Sequence, residues 1–250
     1  MQDRALTPFF MHRSVLLLTT CLAAVSATPA AADTVVYESI QQETQSGSSR
    51  YVSSAQSRAE REAIAAYGPF RVLDERTAAL VAATDARSPA AFRAMLSAHP
   101  RITTLSFVEC PGTYDDRANL ALGRMIRAAG LAAVVPEGGS VRSGAVELVL
   151  AGTSLRIDDG AEFAVHAWED QDGYEAGDYA ADSHENNKYL AYYREMGMSA
   201  AGATAFYAMT NSVPFEDARW LSGAEMRGWV GRREGPDTRL AFLDLSPAVN

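Results

Sequence analysis

Lysine is almost missing from this chain: Lys188 is the only one among 250 residues, and arginine supplies the other basic side chains. Chemistry that needs a catalytic lysine therefore has one residue to draw on, and the polar run Glu185-Asn186-Asn187 beside it reads as solvated surface. Cysteine is nearly as scarce. Cys21 and Cys110 cannot make a disulfide framework. Histidine occurs at positions 12, 99, 166 and 184, with no H-x-x-x-H spacing, so no metal site is expected. Positive charge is in deficit too. A net charge of −9 and a pI near 5.0 exclude a nucleic-acid surface. No internal repeat is visible, and the apolar run Val15 to Val25 is too short to span a membrane comfortably.

What is present begins with an export signal over residues 1–32. Arg4, His12 and Arg13 precede the apolar run, and Ala27-Thr28-Pro29-Ala30-Ala31-Ala32 offers an A-x-A cleavage pattern. An uncleaved anchor is the competing reading; a lipid-bearing Cys21 is disfavoured by Thr20 before it. Cleavage would leave a periplasmic or secreted protein with Cys110 as its one thiol and no stable membrane span. Residues 33–66 read as a polar, loose leader with one short strand near Thr34 to Tyr37.

From Tyr67 the signals alternate between strand and helix. Phe70 to Leu73 reads as a strand, Glu75 to Thr84 as a helix capped by Asp74, and Ser88-Pro89 opens a second helix ending near His99-Pro100. Ile102 to Val108 is strand-like, and Thr113 with Asp116 suggests a capping box. Ala118, Leu122, Met125, Ile126 and Ala129 then share one helix face, and Gly130 stops that helix. Leu131 to Val135, a stretch near Leu155 and a stretch ending at His166 complete the strands, with a helix over Gly144 to Leu150. The alternation implies an α/β fold with parallel strands and crossovers over residues 67–182. Residues 183–250 read as a helical C-terminal part of the same domain, with a last strand at Arg239 to Leu245. Between them, Trp168 to Asp182 is acidic and reads as a mobile loop near the site.

Gly138 to Gly152 holds the candidate chemistry. A Gly-Gly turn leads to Ser143, then Gly144 and an apolar run closing at Ala151-Gly152. A serine at a glycine-flanked strand-to-helix turn stands clear of its neighbours, with main-chain amides aimed at whatever it attacks. Its hydroxyl needs a base, and the strand Glu162 to Val165 delivers His166. Upstream, Glu109-Cys110-Pro111-Gly112 ends another strand with a glycine able to lend a second amide. Taken singly, Ser143 reads as a helix cap and His166 as a structural histidine.

Four segments together resemble the Clp protease proteolytic subunit and crotonase-like superfamily, in particular its exported Clp-protease-like members. Leu105 to Gly112 resembles the family's strand ending in S-P-G-G, and Ser143 through Ala151-Gly152 resembles its catalytic turn. Phe163 to Ala167 resembles its histidine strand, and Arg219 to Met226 resembles its later R-F-L-S-x-x-E-A segment. The resemblance implies stacked ββα crossover units, usually assembled as trimers or rings. It implies Ser143 as nucleophile, His166 as general base, and the Gly112 and Gly144 amides as oxyanion hole. The expected substrate is a peptide or small acyl compound, and no cofactor is required. A coenzyme A motif is not evident, which ranks crotonase chemistry lower.

The departures are specific. Thr113 stands in place of the second glycine of S-P-G-G, bulky Arg142 precedes the serine, and Ala218 occupies the expected position of the acid. Asp217 is the nearest replacement, with Glu216, Asp182 and Glu185 as further candidates. Two functions follow as expectations: an exported serine hydrolase, in particular a peptidase, or a catalytically silent binding or assembly module on the same scaffold. His184 reads as a solvated helix start, Cys110 as a buried inert thiol, and the Tyr189 to Met198 stripe as core or subunit interface.

Overall fold

The structure, a computed structural model, describes residues 53–231. The signal segment, the strand near Thr34 and the strand at Arg239 to Leu245 lie outside the described residues. Two sheets form the frame. The first contains β1 (Ala65–Tyr67), β2 (Phe70–Val72), β3 (Thr77–Leu80), β4 (Thr104–Phe107), β6 (Ala132–Val135) and β8 (Leu155–Ile157), in the order β1-β2-β3-β4-β6-β8. The second contains β5 (Glu109–Cys110), β7 (Ser140–Arg142), β9 (Glu162–Val165) and β10 (Arg219–Ser222), in the order β10-β9-β7-β5.

The chain alternates between the sheets. β4 lies in the first and β5 in the second, and helix α3 (Asp116–Ala128) then carries the chain back to β6. β6, β7 and helix α4 (Ala145–Leu150) repeat the step, and β8 and β9 begin a third. Pairing is parallel for β3–β4, β4–β6 and β6–β8 in one sheet, and for β5–β7 and β7–β9 in the other. This is the stacked ββα crossover arrangement that the sequence implied. β10 adds an antiparallel strand, Arg219 opposite Val165, so the C-terminal part is not wholly helical.

The core is built from the strands' inward residues and the helix faces. Phe70, Leu105, Phe107, Val135, Val141 and Phe163 are fully buried beside Leu122 and Ile126 of α3 and the whole apolar run of α4. Each such side chain contributes about 1.5–3 kcal/mol by leaving water. Gly152 follows α4 where a side chain has no room. An added Cβ would lie 2.5 Å from the Ala133 Cβ and 2.8 Å from its main-chain nitrogen. Gly152→Ala is therefore expected to cost about 2–3 kcal/mol through overpacking against rigid backbone, read as a lower urea midpoint with an unchanged slope.

Two local expectations are corrected. Thr77–Leu80 is a strand, where a helix over Glu75 to Thr84 was expected. The Asp74 carboxylate accepts from the N–H groups of Arg76 and Thr77, so it organises a turn, and Ala78, Ala79 and Leu80 are buried in mid-sheet. Alanine's helical preference yields there to strand pairing on both sides. The polar leader also holds helix α1 (Ser54–Glu62), capped by Ser53 and fastened by Gln56 Nε2 donating to the Val81 carbonyl at 3.0 Å.

The remaining helices meet expectation more closely. α2 (Ser88–Ala98) opens at Ser88-Pro89. α3 is capped by Asp115, two residues past the expected cap Thr113, with Asp116 as its first residue, and it buries Asn119, Leu120, Leu122, Gly123 and Ile126. α5 (His184–Glu195), α6 (Ala200–Thr210) and α7 (Gly223–Val230) follow, the last opened by the Ser222–Glu225 capping box. Among the described residues no helix is long and apolar enough to cross a membrane.

Candidate active site

The parallel ladder of the second sheet assembles the site. Cys110 is level with Val141, and Val141 with Phe163, so β5, β7 and β9 end together at one edge. Gly112 lies two residues past Cys110, Ser143 follows Arg142, and His166 follows Val165. The Ser143 N–H donates to the Ala164 carbonyl at 2.8 Å, extending the β7–β9 ladder to the serine itself.

Ser143 has φ of 49°, the one positive value among non-glycine residues described. That backbone state costs about 1–3 kcal/mol, and it turns the side chain sharply away from the strand. Gly112, with φ of 133°, sits against it. A Cβ on Gly112 would come within 3.0 Å of the Ser143 Cβ and 3.4 Å of its hydroxyl, so only glycine brings this main chain so near the hydroxyl. No described residue accepts a hydrogen bond from the N–H of Gly112 or of Gly144. Both are free to serve an oxyanion.

Thr113 and Arg142, the departures flagged in the sequence, prove accommodated. A Cβ on Gly144 would meet the Thr113 methyl at 2.6 Å, so the larger residue on one loop is matched by glycine on the other. Arg142 is turned away from the cavity. It pairs with Glu109 Oε1 on β5 at 2.7 Å and donates to Ser140 Oγ at 2.7 Å. Cys110 is fully buried, and burial pushes its thiol far up from the ordinary range, which keeps it unreactive.

His166 is half-buried, and its ring meets Phe215 edge-on at 4.9 Å. Its Nδ1 lies 2.7 Å from the Ala167 carbonyl. A carbonyl can only accept, so Nδ1 carries the hydrogen and Nε2 is left as the basic nitrogen. Asp217 is exposed in the turn after Pro214, outside the cavity wall, and no hydrogen bond joins it to His166. None joins Ser143 Oγ to His166 either. The two residues share one cavity of about 730 Å³, together with Gly144. His184, Asp182 and Lys188 lie outside its lining; Lys188 is held by Glu185 Oε2 at 2.7 Å.

Several residues of the site escaped the sequence reading. Asn119 Nδ2 donates to the Gly144 carbonyl at 2.5 Å, and its Oδ1 accepts from Thr84 Oγ1 at 2.9 Å, tying the serine turn to α3 and to the loop after β3. Thr84 N donates in turn to the Gly112 carbonyl at 3.0 Å. Glu147 is 8% exposed in α4 and lines the cavity, and its Oε1 accepts from the Tyr193 hydroxyl at 2.8 Å. Burial raises its pKa to about 7. One acid inside the apolar run Ala145 to Leu150 was the available signal. Asp116 accepts from the Tyr189 hydroxyl at 2.6 Å across the same cavity.

Trp168 to Asp172 and Tyr179, from the acidic segment expected near the site, line the cavity, and hydrogen bonds tie the segment to itself and to the helices beyond it. Asp170 accepts from the N–H groups of Asp172 and Tyr174 and from the Tyr179 hydroxyl. Trp168 Nε1 donates to the Tyr207 hydroxyl at 2.6 Å, and Tyr207 donates to Asn186 Oδ1 at 2.5 Å.

No family profile matches the chain, and no curated protein matches it. Among solved structures it is similar to the 1510-N membrane-bound stomatin-specific protease. A lysine-to-alanine mutant of that protein bound to a substrate peptide gives a TM-score of 0.41 at 16% identity, covering 63% of this chain and 75% of that chain. A serine-to-alanine mutant gives 0.41 at 16%, covering 64% and 80%.

Proposed function

We propose that this protein is an exported serine hydrolase, in particular a peptidase. Ser143 attacks the scissile carbonyl, His166 Nε2 takes its proton and returns it to the leaving group, and the Gly112 and Gly144 amides hold the developing oxyanion. The observation that carries this reading is the strained Ser143 turn pressed against Gly112, with unengaged amides on both sides and His166 on the same cavity. The Ala167 carbonyl does the orienting work that an acid does elsewhere, by fixing the imidazole tautomer. Export rests on the charged, apolar and A-x-A pattern of residues 1–32. Assembly into trimers or rings belongs to this proposal through the sequence resemblance alone.

A silent binding module is the second reading. It is favoured by the missing Ser143–His166 hydrogen bond and by the exposed position of Asp217. A fluorophosphonate probe decides between them. The mature protein is expected to label covalently, and Ser143→Ala to abolish the label while leaving circular dichroism unchanged. A folded parent protein that stays unlabelled overturns the hydrolase.

A further inference from the structure

We propose that Asn119 and Thr84 are positioning residues that set the oxyanion hole, by tying together the two glycines whose amides form it. This rests on the hydrolase reading, since the role lies within that reaction. Asn119 stands on α3 among the buried apolar residues Leu120, Leu122 and Ile126, and is itself 2% exposed. An amide in such surroundings needs a partner at each end. Its Nδ2 donates to the Gly144 carbonyl at 2.5 Å, and its Oδ1 accepts from Thr84 Oγ1 at 2.9 Å. The Gly144 carbonyl can only accept, which fixes which way the amide points.

Thr84, buried in the loop after β3, grips the other glycine. Its N–H donates to the Gly112 carbonyl at 3.0 Å, and its own carbonyl accepts from the Tyr114 N–H at 2.9 Å. Thr84 and Thr113 thus pair as an isolated parallel bridge. The hydroxyl hydrogen of Thr84 goes to Asn119 at 2.9 Å, because the Gly112 carbonyl is 3.5 Å away and already receives the N–H. A continuous path, Gly112–Thr84–Asn119–Gly144, therefore joins the two loops through residues other than Ser143.

The two glycines need such a tie. Glycine is the residue whose peptide planes swing most freely. Gly112 has φ of 133°, and Gly144 has no room for a side chain, since a Cβ there would lie 2.6 Å from the Thr113 methyl and 3.2 Å from Asn119 Nδ2. Each glycine's carbonyl and N–H meet at one Cα, so holding the carbonyl limits the swing of the N–H. An oxyanion hole works through donors that are aimed before the charge appears. Here both donors belong to the least stiff kind of residue, and the buried network supplies the stiffness. Packing alone does not call for asparagine at 119, because an apolar pair of the same shape fills a core about as well.

The test is stopped-flow acylation by p-nitrophenyl acetate, with the acylation constant resolved from the binding constant. Thr84→Val keeps the shape and the N–H to Gly112 and removes only the hydroxyl. It should acylate about 10–100-fold more slowly, with binding unchanged within about twofold. The pH dependence of acylation should stay in place, because His166 is untouched. Thr84→Ser, which retains the hydroxyl, should remain within about threefold of the parent rate. Asn119→Leu should lose as much as Thr84→Val, and the double variant little more, since both break one path. If Asn119→Leu fails to fold, the two Thr84 variants decide. A folded Thr84→Val that acylates at the parent rate overturns the inference. So does weaker binding with unchanged acylation, or an equal loss in Thr84→Ser. A parent that neither acylates nor labels with fluorophosphonate removes the hydrolase and this role with it, whereas an active parent with unaffected variants removes the positioning role alone.

Discussion

Replacing His166 by alanine should slow hydrolysis of an activated ester about 10³–10⁴-fold in kcat/KM, and Ser143→Ala should do the same. The double variant should be no slower than either single one, because a hydroxyl without a base and a base without a hydroxyl are equally idle. Removing Asp217 is expected to matter far less. Asp217→Asn should change the rate by less than about threefold, because the aspartate is exposed outside the cavity and the Nδ1 hydrogen is already held by the Ala167 carbonyl at 2.7 Å. In a triad built on an acid, losing that acid costs about 10⁴ through the wrong tautomer. Here the orienting acceptor is main chain, and no side-chain substitution deletes it. A drop of a hundredfold or more in Asp217→Asn would return the aspartate to the mechanism.

The second large effect is on stability. Glu147 has a folded-state pKa raised to about 7 from the ordinary 4.5, first by burial. The folded state thus holds this proton more tightly than the unfolded state, and stability falls as pH rises between the two values. The shift corresponds to about 3 kcal/mol, lost progressively from pH 4.5 and fully lost above about pH 8. Glu147→Gln carries no such penalty. The two proteins should be nearly equally stable at pH 4.5, with the variant about 3 kcal/mol more stable at pH 8. In a domain of this size that is roughly 6–12 °C in Tm. Comparing variant with parent at each pH cancels the carboxylates held below their usual range, such as Asp74, Asp85 and Glu185. Equal stabilities at pH 8 would mean that Glu147 ionises freely.

The sequence shows the crossover plan because its signals are local. Pro89 opens α2, Gly130 ends the segment after α3, Ser222 with Glu225 opens α7, and β-branched or apolar runs mark β4, β6 and β9. Ser143 and Gly112 are also visible, since a glycine-flanked serine and a Pro-Gly strand end are turn signatures. What stays hidden depends on partners far along the chain. Thr77–Leu80 becomes a strand because β2 and β4 pair with it on either side, which no window around Ala78-Ala79 contains. Glu147 matters through Tyr193, and Asn119 through Thr84 and Gly144. The tautomer of His166 is set by its neighbour's carbonyl, an atom every residue possesses and which therefore leaves no mark in a sequence.

The parallel ladder β5-β7-β9 has a consequence for the chain as it folds. Its strands are separated by crossovers through the other sheet, so neighbours in the ladder are far apart in order of synthesis. Until Val165 and His166 have emerged and paired, Ser143 lacks both the Ala164 carbonyl that receives its N–H and the imidazole that shares its cavity. Such non-local pairing forms slowly. Under the hydrolase proposal, a chain still being synthesised is therefore inert until the last of the three strands closes.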